Sequence, residues 1–573
     1  MPQLTRQTPR PLSHKLRRKA KDVIHGARYG SRLYDYQLRG RHPLRLLGTL
    51  QDPWPGNVVA GQHILVGRFF AAGHLLKNPQ SDTGQWPTDQ LWTSPDMPAR
   101  WWPFLHSFAW LRDLDEVGDR KAVRKCAEAL VKSWLSAYDQ WHEEAWRPDV
   151  LGQRITFWLS HAPLILDTND LVYRSAVINA LARQSRHLAR CVHLLPSSPV
   201  LPLALIGLCF AGLFLPHGEA WLQRGQVLLA RALKEQILTD GGVLSRSPLD
   251  QHQIYKGLVA LQRAYEDRGL EPPAFLAQTL TDMLPFLMGM THGDGRLALF
   301  NGGVVLDETP IKEIIKVADA IAAPLMSAEQ SGFQRLERGG VTLIMDCGPP
   351  APHDISEHSH AGTLSFELST ASERIIVNCG AVPSFADDPR GELNRMSRST
   401  AAHSSLVINN RNSSELLESG LIGEGPTIVT SSRHEQDGHL LVEASHNGYD
   451  GRYGLIHHRR LYMSADGHDI RGEDRLERQK MSAGQPRLPY DLRFHLHPEV
   501  VATLHSGKDM VTLRLPSGQE WSFRARGGEM AVEESLYFGD GAPYQRALQI
   551  MVTGYVDGED VALQWSFVRQ DQD

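Results

Sequence analysis

Cysteine is scarce: Cys126, Cys191, Cys209, Cys347 and Cys379 are the whole supply in 573 residues, odd in number and scattered. That excludes a disulfide framework and any CxxC site, and predicts buried thiols in a reducing compartment. No apolar run is long enough to span a bilayer. The first residues also lack the apolar segment and small-residue cleavage site of a secretory signal, which points to the cytoplasm. No repeat of fixed period is present, so a conventional solenoid is disfavoured. Nor is one sign of charge in excess: the formal net charge is -5 and the pI is near 6.6, which argues against a general polyanion or nucleic-acid binder. The one local exception is Lys15, Arg17, Arg18, Lys19 and Lys21. This cluster reads either as a short solvated basic helix or as a contact for a nucleic acid or membrane surface.

What is present changes character once along the chain. A chain of this length exceeds one ordinary core, so two large domains are expected. After a basic helical extension (1–50), residues 51–325 read as helices, opened by the turn-rich DPWPGN. Trp102, Leu105, Phe108, Trp110, Leu111 and Leu114 form one broad apolar helical face. Amphipathic segments follow at about 122–140, 151–167, 171–193, 200–214, 218–237, 248–267 and 272–289, with short connections that favour antiparallel pairs in a closed array. HGDGRLALFNGG (292–303) breaks the helical rhythm with glycines. From 326 to 573 the pattern is short β-branched or aromatic runs between Gly, Asn, Asp and Pro turns, which predicts an antiparallel β-sandwich.

Three histidines stand out. His358 and His360, in SEHSHAGTLSFEL, precede the alternating run Leu364, Phe366, Leu368; His403, in RSTAAHSSLVIN, opens another apparent strand. Residues two apart on a strand share a face, so both imidazoles of the first pair are expected to point into one cavity. Two readings follow. The set holds a divalent metal, zinc being the usual partner of neutral imidazole, with Asn378 of RIIVNCG where an acid would serve better; or it is a metal-free hydrogen-bonded imidazole pair that holds the loop. His495 and His497 read as packed strand residues. In the helical half, Asp250, His252 and Tyr255 follow a probable helix start at Ser247-Pro248, either near a cavity rim or facing solvent. Arg154, near another helix start, reads as a buried guanidinium meeting a carboxylate. The dense tryptophans between Trp86 and Trp158 could stack on sugars, although packing is their default role.

Taken together, HSFAWLRDL, DGGVLSRSP, HGDGRLALFNG, SEHSHAGTLSFEL, RIIVNCG and RSTAAHSSLVIN, in a helical half followed by a β half, resemble the heparinase II/III family of polysaccharide lyases. The resemblance implies an incomplete (α/α) toroid packed on an antiparallel β-sandwich, with the substrate cleft between them. It implies that His358 is the catalytic-site histidine, and that His360 and His403, with Asn378 in place of a usual aspartate, ligate one divalent metal, zinc or calcium. In the family a tyrosine just after an SP element acts as base and acid; here Asp250 and Gln251 occupy the SPxYH positions of tyrosine and histidine. Tyr255 or His252 is the expected substitute, with Arg154 helping to position substrate. The implied reaction is β-elimination on an acidic, uronate-containing polysaccharide or oligosaccharide, in the periplasm or cell envelope. The alternative is a non-catalytic glycan-binding or envelope-polysaccharide assembly protein on a lyase scaffold.

Overall fold

The structure is a computed structural model that describes residues 28–71, 73–304, 310–383, 388, 391–479, 487–540, 544–557 and 559–570. The basic cluster between Lys15 and Lys21 lies outside the described residues.

The amphipathic segments form helices close to the expected bounds: Arg120–Tyr138, Pro148–Ser160, Leu171–Cys191, Val200–Phe214, Glu219–Gln236, Pro248–Asp267 and Ala274–Gly289. Their starts follow from local chemistry. The side chains of Asp119, Asp170 and Ser247 accept backbone N–H groups of the first turn, and prolines stand at the heads of Pro148–Ser160 and Pro248–Asp267. Val200–Phe214 is apolar all round and buried, so it lies inside the lobe. It touches Pro148–Ser160 backbone to backbone: a Cβ on Gly207 would lie 2.1 Å from the Gly152 carbonyl oxygen.

Three local features differ from the sequence reading. The single apolar helix around Trp102–Leu114 is two short helices, Trp102–Ser107 and Leu111–Asp115, separated by Phe108 in the left-handed region (φ 60). The Phe108 ring is buried among Trp92, Trp110, Trp134 and Trp158, and that packing overrides helix continuation. A two-stranded hairpin, Phe69–Ala71 with His74–Leu76, and a helix, Ile311–Ala318, also sit in this half. The tryptophans pack in the core as expected.

The second half is a sandwich of antiparallel sheets. Among the described residues, one has nine strands, running from Glu529–Tyr537 through Gln545–Val556, Leu488–Leu496, Glu373–Val377, Phe366–Thr370 and Val341–Asp346 to Ser327–Ala328. The other has eight, and in it the last strand, Val561–Gln570, lies between Glu520–Arg526 and Asp469–Arg478. Side chains alternate inward and outward, so Phe366, Phe494, Trp521, Phe523, Trp565 and Phe567 fill the space between the sheets. The fold is therefore an (α/α) toroid-like helical lobe followed by a β-sandwich.

The joint between lobes is polar and buried. Glu367, in strand Phe366–Thr370, is fully buried and accepts from His292 Nε2 (3.1 Å) and Leu299 N–H (3.1 Å), both in the loop that leaves the helical lobe. It also accepts from Asn378 N–H (2.9 Å) of the sandwich. Burial alone would raise its pKa, but the bond from His292 and the nearby Arg374 charge outweigh burial and hold the carboxyl below its usual range. Arg374 in turn grips Asp294 of the same loop (2.9 Å). A second anchor is Arg246, whose guanidinium donates to the carbonyls of Ser331 and Gly332 and pairs with buried Asp346.

Removing one partner of such a cluster leaves the others buried and unpaired. Glu367→Ala is expected to cost about 3–5 kcal/mol, read as a lower denaturant midpoint, with the helical lobe losing protection from hydrogen exchange around 291–303.

Candidate functional site

The helix Pro248–Asp267 brings its first turn to this joint. Ser247 accepts from Asp250 N–H (3.3 Å), and Ser245 Oγ donates to Asp250 Oδ2 (2.7 Å). Asp250 is nearly buried, at 9 % exposure. Burial pushes its pKa up, opposed by the charge of His358 and the Ser245 bond and reinforced by Glu357. A carboxyl of the helical lobe is therefore within electrostatic reach of the sandwich histidine.

His358 ends a three-ten segment, His353–His358, and its ring is exposed, with no hydrogen bond among the described residues. Its Cβ lies 2.9 Å from where a Cβ on Gly302 would stand, and Gly302 has φ +83; only glycine lets the exit loop of the helical lobe pass this close. The strand expected to carry His358 and His360 begins only at Phe366, after Leu364 in the left-handed region, so the period-2 rule does not apply at 358–360: His358 is exposed and His360 buried, and both lie against Gly302.

His360 is buried and belongs to a relay. Gly302 N–H donates to His360 Nε2 (3.1 Å), which places the His360 proton on Nδ1. That proton goes to His403 Nε2 (3.0 Å), and His403 Nδ1–H goes to the Ser399 carbonyl (2.7 Å). Burial pulls both pKa values down, His403 to about 4, so both rings are neutral. Asn378 lies close by; its Oδ1 accepts from Ser404 N–H (3.2 Å) and its amide donates to Glu367 (3.3 Å). Each imidazole nitrogen of the pair is thus engaged, and the third group is a neutral amide already bonded on both ends. Among the described residues no group of three or more His, Cys, Asp or Glu side chains is poised to hold a metal ion. This donor set does not fit zinc or calcium, for which an anionic ligand is normal.

Several residues that build the site carry no chemical signature of their own. Arg398 fixes the loop bearing both histidines, donating to the carbonyls of Ser356 (3.2 Å), Ser359 (2.7 Å) and Gly420 (2.6 Å). Asn301 Oδ1 accepts from His360 N–H (3.1 Å), and Asn301 Nδ2 donates to the Arg246 carbonyl (3.1 Å). Arg459 reaches from the other sheet to the carbonyls of Leu364 (2.6 Å) and Ser404 (2.8 Å). Arg398, Asn301 and Glu367 lie inside the runs that drew attention in the sequence, but nothing in residue type or spacing marks them as braces.

The helical-lobe candidates separate. Tyr255 is buried in the lobe core, where burial pushes its phenol up to about 12, so it is not the base facing His358. His252 is buried two residues beyond Asp250. Gln251 donates to the carbonyls of Gly241 (2.9 Å) and Met283 (3.1 Å), a structural task. Arg154 is sealed in the core and meets neutral groups rather than a carboxylate: Gln184 Oε1 and the His106 carbonyl, each at 2.8 Å. Of Asp250, Tyr255 and Arg154, it is Asp250 whose titration the His358 charge affects. His495 is packed as expected, bonded to the Ala401 carbonyl and Ser535.

Residues 320–566 match the family model described as heparinase II/III-like, C-terminal. Over nearly its full length the chain resembles FtsZ-localized protein C of Caulobacter vibrioides (strain NA1000 / CB15N), 28% identical over 554 residues, 94% of this chain and 93% of that protein. Among solved structures it resembles heparinase III, with a TM-score of 0.72 and 14% identity over 97% of this chain and 91% of that one. It also resembles the heparan sulfate lyase HepC from Pedobacter heparinus, with a TM-score of 0.59 and 16% identity over 91% and 84%. At these identities the two structures speak to fold alone.

Two outcomes follow from the geometry. The pKa of Asp250 is raised on folding, so its contribution to stability is complete below the unfolded carboxyl pKa and is lost as pH rises through the folded value. Asp250→Asn, which keeps the Ser245 bond, should therefore melt a few degrees above wild type at pH 8, the gap closing toward pH 4. Zinc or calcium added and then dialysed away should leave less than one ion per chain by elemental analysis. One retained ion per chain that disappears in His403→Ala would overturn the metal-free relay.

Proposed function

We propose that the chain, whose residues 320–566 match the heparinase II/III-like C-terminal model and whose fold resembles that of heparinase III, is a polysaccharide lyase of that family, taking an acidic glycan at the joint of its lobes and acting by β-elimination. The observation that carries this reading is that an exposed, unbonded imidazole, His358, stands against the exit loop of the helical lobe at Gly302, within electrostatic reach of Asp250, a carboxyl held toward its protonated form.

β-Elimination at a uronate needs the carboxylate charge shielded, the proton on the neighbouring carbon removed, and the 4-linked oxygen protonated as it leaves. Asp250 answers the first need. A protonated carboxyl donates to the substrate carboxylate, and the arriving negative charge favours that protonated form further, as between two acids sharing a site. His358 answers the second: exposed and free of competing bonds, its ring in the neutral form accepts the carbon-bound proton. The imidazolium so formed then gives a proton to the departing oxygen, leaving the unsaturated sugar and restoring the neutral ring. The Gly302 turn and the Arg398 braces hold the histidine still while this happens. Tyr255, His252 and Arg154 have no step in this scheme, and the His360–His403 relay is assigned the work of fixing the loop.

A second reading, a glycan-binding factor without turnover, is favoured by one comparison. The full-length relative is named for its localization with FtsZ, and its 28% identity stands against 14–16% for the lyases. In that role the same joint recognises a glycan or glycoconjugate near the division site.

Incubation with a panel of uronate polymers, followed at the absorbance of the 4,5-unsaturated product, separates the two. The lyase reading expects turnover that falls about 100- to 10,000-fold in His358→Ala. It also expects activity to fall as pH rises through the raised Asp250 titration, a limb that Asp250→Asn should lose. Glycan binding without product in wild type, unchanged in His358→Ala, would establish the second reading instead.

A further inference from the structure

Arg154 is left unused by the site at the joint, and its surroundings pose a charge problem. It is wholly buried in the helical lobe, with its guanidinium carbon 4.4 Å from the centre of the Trp134 ring. Its Nε and Nη1 bond to Gln184 Oε1 and the His106 carbonyl, both neutral. Burial pulls its pKa down to about 9, and no acid opposes that pull. The imidazoles around it offer no counter-charge. Burial first, and the Arg154 charge in addition, lower His106 to about 2 and His187 to about 4. Guanidinium nevertheless keeps its proton in proteins, so a full positive charge sits in the core with no negative partner among the described residues.

The same place has spare donors. Arg154 Nη2, Gln184 Nε2 and Trp158 Nε1 are all buried without an acceptor. They belong to one cluster. Trp158 lies one helical turn beyond Arg154 on Pro148–Ser160; its ring centre is 5.4 Å from that of Trp134; and Gln184 is bonded to Arg154 directly. An unpaired buried cation costs several kcal/mol, and each unused buried donor adds to that cost. A water molecule would satisfy donors but not the charge, and it would bring two hydrogens of its own into a cluster whose unused groups are all donors.

We propose that the helical lobe binds one small monovalent anion of the halide class between Arg154, Gln184 and Trp158. The cluster is sealed, so the ligand is small and a glycan carboxylate does not reach it. The anion is a structural counter-ion of the lobe core, and its place is independent of whatever the joint binds.

The test uses the full chain in chloride-free gluconate buffer. Replacing gluconate by chloride or bromide at constant ionic strength should raise the melting temperature by a few degrees. Crystals soaked in bromide should show an anomalous peak at hydrogen-bond distance from Arg154 Nη2. Arg154→Met should lose the halide dependence. Should that variant fail to fold, Trp158→Phe, which removes one N–H and keeps the ring, should fold and show a weaker halide response. Equal melting temperatures in gluconate and halide, or density at the cluster without anomalous signal, would overturn the proposal.

Discussion

One buried carboxylate, that of Glu367, makes the two lobes a single working unit. Its oxygens take up a ring nitrogen and a backbone N–H from the loop leaving the helices, and a backbone N–H from the neighbouring strand. Those bonds set where Asn301 and Gly302 lie, and Asn301 and Gly302 in turn set His360 and abut His358. The setting of the two histidines is therefore a product of how the lobes are joined. A carboxylate without these donors could not be buried at such a junction, since the bare charge would cost more than the packing returns.

The remaining braces share a chemistry. Arg246 and Arg398 spend most of their N–H groups on backbone carbonyls of loops rather than on acids, and Arg459 divides its bonds evenly between loop carbonyls and one acid. A planar guanidinium with five donors can tie two or three irregular segments together at once, which a point charge such as lysine cannot do. Irregular segments have carbonyls that no sheet or helix satisfies, so this use answers two needs: the loops become rigid and their acceptors are filled. Arg459 differs in also pairing with Asp474, itself bonded by His457 and Trp565, so that a fully buried polar group in the sandwich core is completely satisfied.

Periodicity made much of this fold legible. Helix bounds from Arg120 to Gly289 and strands such as Val341–Asp346 and Leu455–Met463 follow from apolar spacing, because burial of one face decides both. Where tertiary packing overrules local preference, the pattern misleads: Phe108 turns left-handed to bury its ring, and the run before Phe366 is a three-ten turn and loop instead of a strand. His358, His360, His403 and Asn378, singled out by their motifs, share one neighbourhood. The sequence offered Asp250 and Tyr255 together, and of the two it is Asp250 that feels the His358 charge. Both lie on one helix, but five residues apart they face different surroundings, and spacing alone does not say which face meets the other lobe. Arg154 was legible as buried, yet its lack of an acid partner is a long-range fact that no local pattern carries.

The position of Val561–Gln570 in the eight-stranded sheet has a consequence for how the molecule is made. This strand, the latest of the described ones, is an interior one, flanked by Asp469–Arg478 on one side and Glu520–Arg526 on the other. Until it is in place, the sheet exists as two unjoined halves with open edges, and Arg459 and Asp474 lie beside an unfilled gap. During synthesis the helical lobe can collapse early on its local contacts, while the surface that holds the histidine loop matures only when Val561–Gln570 closes a long-range pairing. Chains still lacking that strand would thus carry a finished helical lobe and an unfinished histidine loop.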